Sequence, residues 1–171
     1  WDDDSLLLRL RDGVPDEMEV LFIGTLRADV PAAEQDEVSQ ALYDRFRCVA
    51  VFLPESLHDR FYHSFCKRQL WPLFHYMLPF TSDHGGRFDR SNWEAYVLAN
   101  KLFSQRGIEV LNPDDDYIWI HDYHLLALPS FLRRRFNRLR IGFFLHSPFP
   151  SSELYRSLPV RDEILKSLLN C

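Results

Sequence analysis

The chain has 171 residues, 46% of them hydrophobic and 26% charged, a globular composition that excludes collagen-like, coiled-coil and wholly disordered chains. At roughly 150 residues per domain, this length fits one domain or one piece of a larger one. The 20 basic and 25 acidic side chains leave a net charge of −5, so the basic excess that drives phosphate neutralisation is missing and no nucleic-acid partner is expected.

In chain order, residues 19–26 (EVLFIGTL) are short, apolar and β-prone and predict a first strand. Val38, Ala41, Leu42 and Phe46 then share one face of a helical pattern, and residues 48–53 (CVAVFL) predict a second strand. Leu57, Phe61 and Phe65 mark another helix, after which TSDHGGRFDR at 81–90 reads as a single loop and not as a domain boundary. Ser91-x-x-Glu94 has the form of a capping box opening a long helix through Phe103, with Gly107 placed to end it. That helix carries Trp93, Tyr96, Val97, Leu98, Leu102 and Phe103, apolar nearly all round, and should be packed on several sides. YIWIH at 117–121 and LRIGFFLH at 139–146 complete the strands. Strands alternating with helices predict an α/β fold, a Rossmann-like, doubly wound and mainly parallel sheet. In such sheets ligands gather in the crevice beyond the carboxyl ends of the strands.

Two of those ends carry ionisable groups. His121, Asp122, Tyr123 and His124 follow one strand, and His146 opens the loop HSPFP after the other. The two prolines make that loop rigid, and Ser151, Ser152 and Glu153 suit a helix start. Two readings of the histidines stay open: helix capping or satisfaction of a buried carbonyl, and a Zn²⁺ or Mn²⁺ site on His121, Asp122 and His124. Strand alternation opposes the second, because neighbouring side chains point to opposite faces unless the strand has already turned. Among the aromatics, Trp71 and Phe74 are read as core, whereas Tyr76 and Trp93 combine a flat apolar face with a polar handle, which suits either core or a sugar ring. Arg133, Arg134, Arg135, Arg138 and Arg140 complement a helix C-terminus on a solvated face, with a phosphate site as the alternative. P-loop, G-x-G-x-x-G and G-x-S-x-G patterns do not occur, so kinase, dehydrogenase and acyl-hydrolase readings have no support.

No apolar run reaches the roughly 20 residues that cross a bilayer. The opening WDDDSLLLRL is acidic where a secretory leader is basic, so neither membrane association nor export is expected. Cys48, Cys66 and Cys171 are odd in number and widely spaced, which fits a reducing, cytoplasmic setting. Trp1 is not an initiator Met and KSLLNC lacks a stop signal, so a fragment is expected.

At WPLFHYMLP, YIWIHDYHLLALPSFLR and IGFFLHSPFPSSELYRSLPVRDEIL the sequence resembles the trehalose-6-phosphate synthase family of retaining glycosyltransferases, in that family's order and over nearly the whole chain. WDDDSLLLRLRDG, EQDEV, FYHSFCKRQLWPLFHYMLP, HGGRFDR and LLNC resemble the plant class II members, which join a synthase-like to a phosphatase-like domain. The resemblance implies a GT-B protein with two Rossmann-like domains across a cleft. Residues 1–171 would be part of the N-terminal, acceptor-side domain, and the donor-binding domain is absent. It implies transfer of glucose from UDP-glucose to glucose 6-phosphate, giving trehalose 6-phosphate and UDP, with no cofactor and no metal. By motif, Tyr76 and Trp93 resemble acceptor-site residues, Tyr76 near the phosphate. Asp122 resembles the carboxylate that bonds the acceptor's hydroxyls, and His146 the residue that meets the donor glucose beside the reacting centre. His75, His121 and His124 are assigned structural roles.

The transition state implied is oxocarbenium-like with a UDP leaving group, so positioning and electrostatic stabilisation carry the chemistry. The family's first-strand Arg and glycine-rich loop would precede Trp1, and its UDP-binding Arg and Lys would follow Cys171, so the fragment alone is expected to be inactive. The DDDSLLL after Trp1 departs from the synthases' W-x-G-W pattern, a departure shared with class II members. The alternatives are therefore a sugar-phosphate sensor or regulatory scaffold of the same fold, acting through protein partners, and an unrelated metallohydrolase on His121, Asp122 and His124.

Overall fold

The computed structural model describes residues 13–15, 17–76 and 88–171. The opening WDDDSLLLRL and most of the 81–90 loop, including its two glycines, lie outside these residues. Strand β1 (Phe22–Thr25) is followed by a 3₁₀ turn and helix α1 (Gln35–Phe46), then β2 (Cys48–Val51). Residues 55–74 form one continuous rod, α2, whose central part, Asp59–Leu70, is wound wider than an α-helix with i→i+5 bonding. Helix α3 (Arg90–Val110) leads to β3 (Tyr117–His121), a 3₁₀ turn at Tyr123–Leu125, α4 (Leu128–Arg135), β4 (Arg140–Phe144), α5 (Ser152–Arg156) and α6 (Arg161–Leu168).

Both strand pairs are parallel. Phe22 pairs with Cys48 through to Thr25 with Val51, and Tyr117 with Arg140 through to His121 with Phe144. A parallel pair needs a crossover, and α1 and α4 supply them. Arg47 ends α1 in the left-handed conformation (φ 52°), its N–H donating to the carbonyls of Leu42 and Tyr43, so the chain turns directly into β2. The shared face expected on α1 is only half covered: no residue of the helix is buried, and Phe46 is 45% exposed.

Helix α3 is the central beam, and its ends differ from the expected ones. Its N-cap is Asp89, whose carboxylate accepts from the Ser91 N–H at 2.8 Å, so Ser91 sits in the first turn and is not the cap. It also runs past Gly107 to Val110. Gly107 is buried there against β1, where a Cβ would lie 3.4 Å from Ile23 Cδ1; it sits inside the helix and does not reverse the chain.

The core joins α2, α3 and α4, with Phe65, Leu70, Phe74, Tyr96, Leu126 and Leu132 almost fully buried. Within this apolar packing α3 places two polar side chains. The Tyr96 hydroxyl donates to the Tyr123 carbonyl (2.9 Å) and accepts from the Leu126 N–H (2.8 Å). Asn100 donates to the carbonyls of Tyr96 (2.9 Å) and His124 (3.3 Å) and accepts from the Ala127 N–H (3.1 Å). Buried backbone groups need partners, and the chain leaving β3 finds them on α3. Part of the arginine cluster is likewise structural, since Arg133 donates to the carbonyls of Asn137, Leu139 and Asn170.

Two stability outcomes follow from α3. Tyr96→Phe strands a buried N–H and a buried carbonyl and should cost about 1–3 kcal/mol in denaturant unfolding, with faster amide exchange at residues 123–127. Gly107→Ala should stabilise by about 0.5–1 kcal/mol, because alanine suits a helix interior and the Ile23 methyl can yield slightly; a destabilisation beyond that size would show that the α3–β1 contact admits no extra carbon.

Candidate functional site

The register of β3 on β4 sets His121 opposite Phe144, so the carboxyl ends of both strands emerge side by side. One residue later the chain bends sharply. Asp122 adopts φ 61° and ψ −176°, a region populated essentially by glycine and costing about 1–3 kcal/mol for other residues. Its N–H donates to the Phe144 carbonyl at 2.8 Å, which anchors the bend to β4. The Asp122 charge is felt by His121, Tyr123 and His124 on its own segment and by Cys66 of α2.

Across the same edge, His121 Nδ1 lies 3.1 Å from His146 Nε2, with the rings 19° from parallel. Trp119 flanks the first ring at 4.5 Å and Phe144 the second at 4.9 Å between centroids. Tyr76, at the end of α2, is also in the left-handed region (φ 56°) and is 54% exposed. Its hydroxyl donates to the Phe149 carbonyl at 3.3 Å, tying α2 to the loop that begins at His146. The structure thus brings Asp122, His146 and Tyr76 to the loops at one end of the β3–β4 pair.

Trp93 is placed differently. It is 8% exposed, stacked on Tyr96 at 5.5 Å and tilted against Phe65 at 5.5 Å, so it lies in the core behind that edge. His75, the residue just past α2, is held to its last turn by the Nδ1 contact to the Trp71 carbonyl (2.7 Å) and by stacking on Trp71. Among the described residues His121, Asp122 and His124 do not converge as a three-ligand metal group, nor does any other set of histidine, cysteine and carboxylate side chains. His121 is engaged with His146, and His124 is buried between Tyr62 and Tyr123.

Sequence reasoning assigns His121 a structural role with a metal site as the alternative, reads Cys66 only as an unpaired thiol, and offers no role for Lys67 of α2. Both strands closing on or next to a histidine was the available signal for the His121–His146 pair, but the register that joins them is not written in either segment. A cavity of about 530 Å³ opens instead at the ends of β1 and β2, lined by Thr25, Asp29, Gln35, Phe52 and Leu102 among others. It contains none of the four predicted residues, and its wall is mainly apolar; the polar convergence at β3 and β4 is the better candidate for chemistry.

Burial lowers two histidines of that edge, His121 and His124. Burial between Tyr62 and Tyr123 pushes His124 down to about 4, Lys67 pushes the same way, and Asp122 opposes them. Its Nε2 is buried with no protein hydrogen-bond partner. Burial also lowers His121, with His146 adding to the effect and Asp122 opposing it, while burial raises the Cys66 thiol well above its ordinary value. Because folded His124 takes up its proton near 4 and the unfolded residue near 6.5, the unfolded state binds more protons between these values. Stability should therefore be full above about pH 6.5 and fall by on the order of 3 kcal/mol as the pH drops to about 4. Denaturant unfolding across that range should show the decline, and His124→Gln should remove most of it.

Comparison with known proteins agrees with this architecture. The family model described as Glycosyltransferase family 20 matches residues 1–171. A probable alpha,alpha-trehalose-phosphate synthase [UDP-forming] 7 of Arabidopsis thaliana is 69% identical over 99% of this chain, which spans 20% of that protein's length. The alpha,alpha-trehalose-phosphate synthase [UDP-forming] of Candida albicans is 43% identical over 96% of the chain and 34% of its own. Among solved structures, the Burkholderia xenovorans synthase in complex with glucose-6-phosphate superposes with a TM-score of 0.66 at 29% identity, covering 88% of this chain and 38% of that one. An E. coli structure bound with UDP-2-fluoro glucose gives a TM-score of 0.66 at 30% identity, with 88% and 38% covered. The chain spans about a fifth of the length of its Arabidopsis relatives, and its mixed α/β architecture with parallel strands is shared with these synthases. Matched along its entire length, the chain belongs to glycosyltransferase family 20.

Proposed function

We propose that residues 1–171 are part of the acceptor-side, N-terminal Rossmann-like domain of a cytoplasmic GT-B enzyme of trehalose biosynthesis. The intact enzyme transfers glucose from UDP-glucose to glucose 6-phosphate, forming trehalose 6-phosphate and releasing UDP. The observation that carries this reading is the edge where the strained Asp122, the His121–His146 pair and Tyr76 come together. Relatives with solved complexes support it: one holds glucose-6-phosphate and another UDP-2-fluoro glucose. No helix among the described residues is long and apolar enough to cross a membrane.

In this reading Asp122 accepts hydrogen bonds from the acceptor's hydroxyls and orients the attacking one. His146 binds the donor glucose, and Tyr76, with its exposed hydroxyl, lies by the acceptor phosphate. Trp93 contributes from behind, as a rigid wall on Tyr96. Retaining transfer asks these groups to hold two sugars in a reactive geometry, worth several powers of ten in rate where alignment is complete. The charge that develops on the leaving UDP is met by groups outside this chain.

The test is glucose transfer by the full-length protein, with trehalose 6-phosphate detected by mass spectrometry. Asp122→Asn should lower kcat about 100-fold or more, the range seen when one preorganised polar contact is removed, while the melting temperature stays within a few degrees. A parallel loss of fold and rate would make Asp122 a structural residue.

A further inference from the structure

We propose that His121 is the positioning residue for His146: by engaging Nε2 of His146 it fixes that ring and leaves Nδ1 as the ring nitrogen open to the donor sugar. The proposal rests on the function argued above and names how the donor half of that site is built.

The contact is 3.1 Å between Nδ1 of His121 and Nε2 of His146, within hydrogen-bond range for two imidazole nitrogens. One proton lies between them, so one ring donates and the other accepts, and the tautomers of the two rings are coupled. His121 is itself held on three sides. Its backbone is in register with Phe144 at the end of the ladder, its ring lies against Trp119, and the next residue is bent and anchored to the Phe144 carbonyl. His146, by contrast, opens the loop that carries Ser147 to Pro150 outside any strand or helix. The ladder residue therefore orients the loop residue. A ring that turns freely presents either nitrogen in many directions, whereas one with a fixed nitrogen presents the other in a single direction, and that ordering is completed before the sugar arrives.

Three substitutions in the full-length protein separate this role from packing. Asparagine places its amide nitrogen where Nδ1 of histidine lies, so His121→Asn keeps the contact. Glutamine carries its amide one carbon further out, and phenylalanine keeps the ring without nitrogen, so His121→Gln and His121→Phe both lose it. With calorimetry using UDP-glucose and glucose 6-phosphate separately, and turnover where present, Asn should stay within about threefold of the parent. Gln and Phe should weaken UDP-glucose binding about tenfold and lower kcat by at least as much, with glucose 6-phosphate affinity unchanged. Should the Phe protein not fold, the Asn and Gln proteins still decide the matter. Equal UDP-glucose binding by all variants overturns the positioning role alone, as does tolerance of Phe with loss in Asn, which would mark His121 as packing. A parent that binds no UDP-glucose overturns the proposed function and this inference with it.

Discussion

The site depends on a bend that the backbone would not adopt unaided. Asp122 sits in a conformation that costs a non-glycine residue about 1–3 kcal/mol, and the surrounding hydrogen bonds over-determine it. One is its own N–H to the Phe144 carbonyl; the others are those that Tyr96 and Asn100 of α3 make to residues 123, 124, 126 and 127. At about 1 kcal/mol net for each intramolecular hydrogen bond, this set outweighs the strain. The price of the bend is thus met one layer below the surface, by a helix that does not itself reach the edge. A glycine at this position would adopt the same angles without strain but would carry no carboxylate.

That arrangement explains why a buried, mostly apolar helix keeps a tyrosine and an asparagine. Replacing either by a hydrocarbon would leave amides and carbonyls of the turn after β3 without partners in a dry interior, where each stranded group costs about 1–3 kcal/mol. Burial of the Tyr96 ring between Phe65 and Trp93 positions its hydroxyl at the same time. Trp93 therefore acts on the turn through Tyr96, and its place in the core is compatible with a role in shaping the site from behind.

Much of this was legible because strand and helix patterns have different periods. YIWIH became β3 residue for residue, and β4 fell within the segment 139–146; both are short, β-prone apolar runs, although Tyr117, Trp119 and Phe144 stay exposed. Strand β1 is shorter than its apolar run, Phe22–Thr25 within residues 19–26, since pairing extends only where β2 faces it. The ends of α3 differ from the expected ones because local signals compete: Asp89 caps the first turn ahead of Ser91, and a glycine in the interior of the helix has the form of a stop. The site was half legible. Asp122 and His146 announce themselves as polar groups at strand ends, but the bend at Asp122 is a tertiary effect, and the partnership of His121 with His146 depends on a register that neither strand encodes alone.

The electrostatic character of the edge also bears on the kind of chemistry it suits. Burial lowers His121 and His124, which favours the uncharged form of both rings near neutral pH. Such groups are poor at stabilising an anion and good at holding hydroxyls, each offering one donor or one acceptor in a fixed direction. The glycosyl transfer proposed above, divided between two domains, would use that separation: directional contacts around the sugars on one side, and concentrated positive charge around a departing diphosphate on the other. Under the function proposed above, a strongly cationic edge here would compete with the facing domain for the diphosphate, whereas an edge whose His121 and His124 are lowered by burial would not.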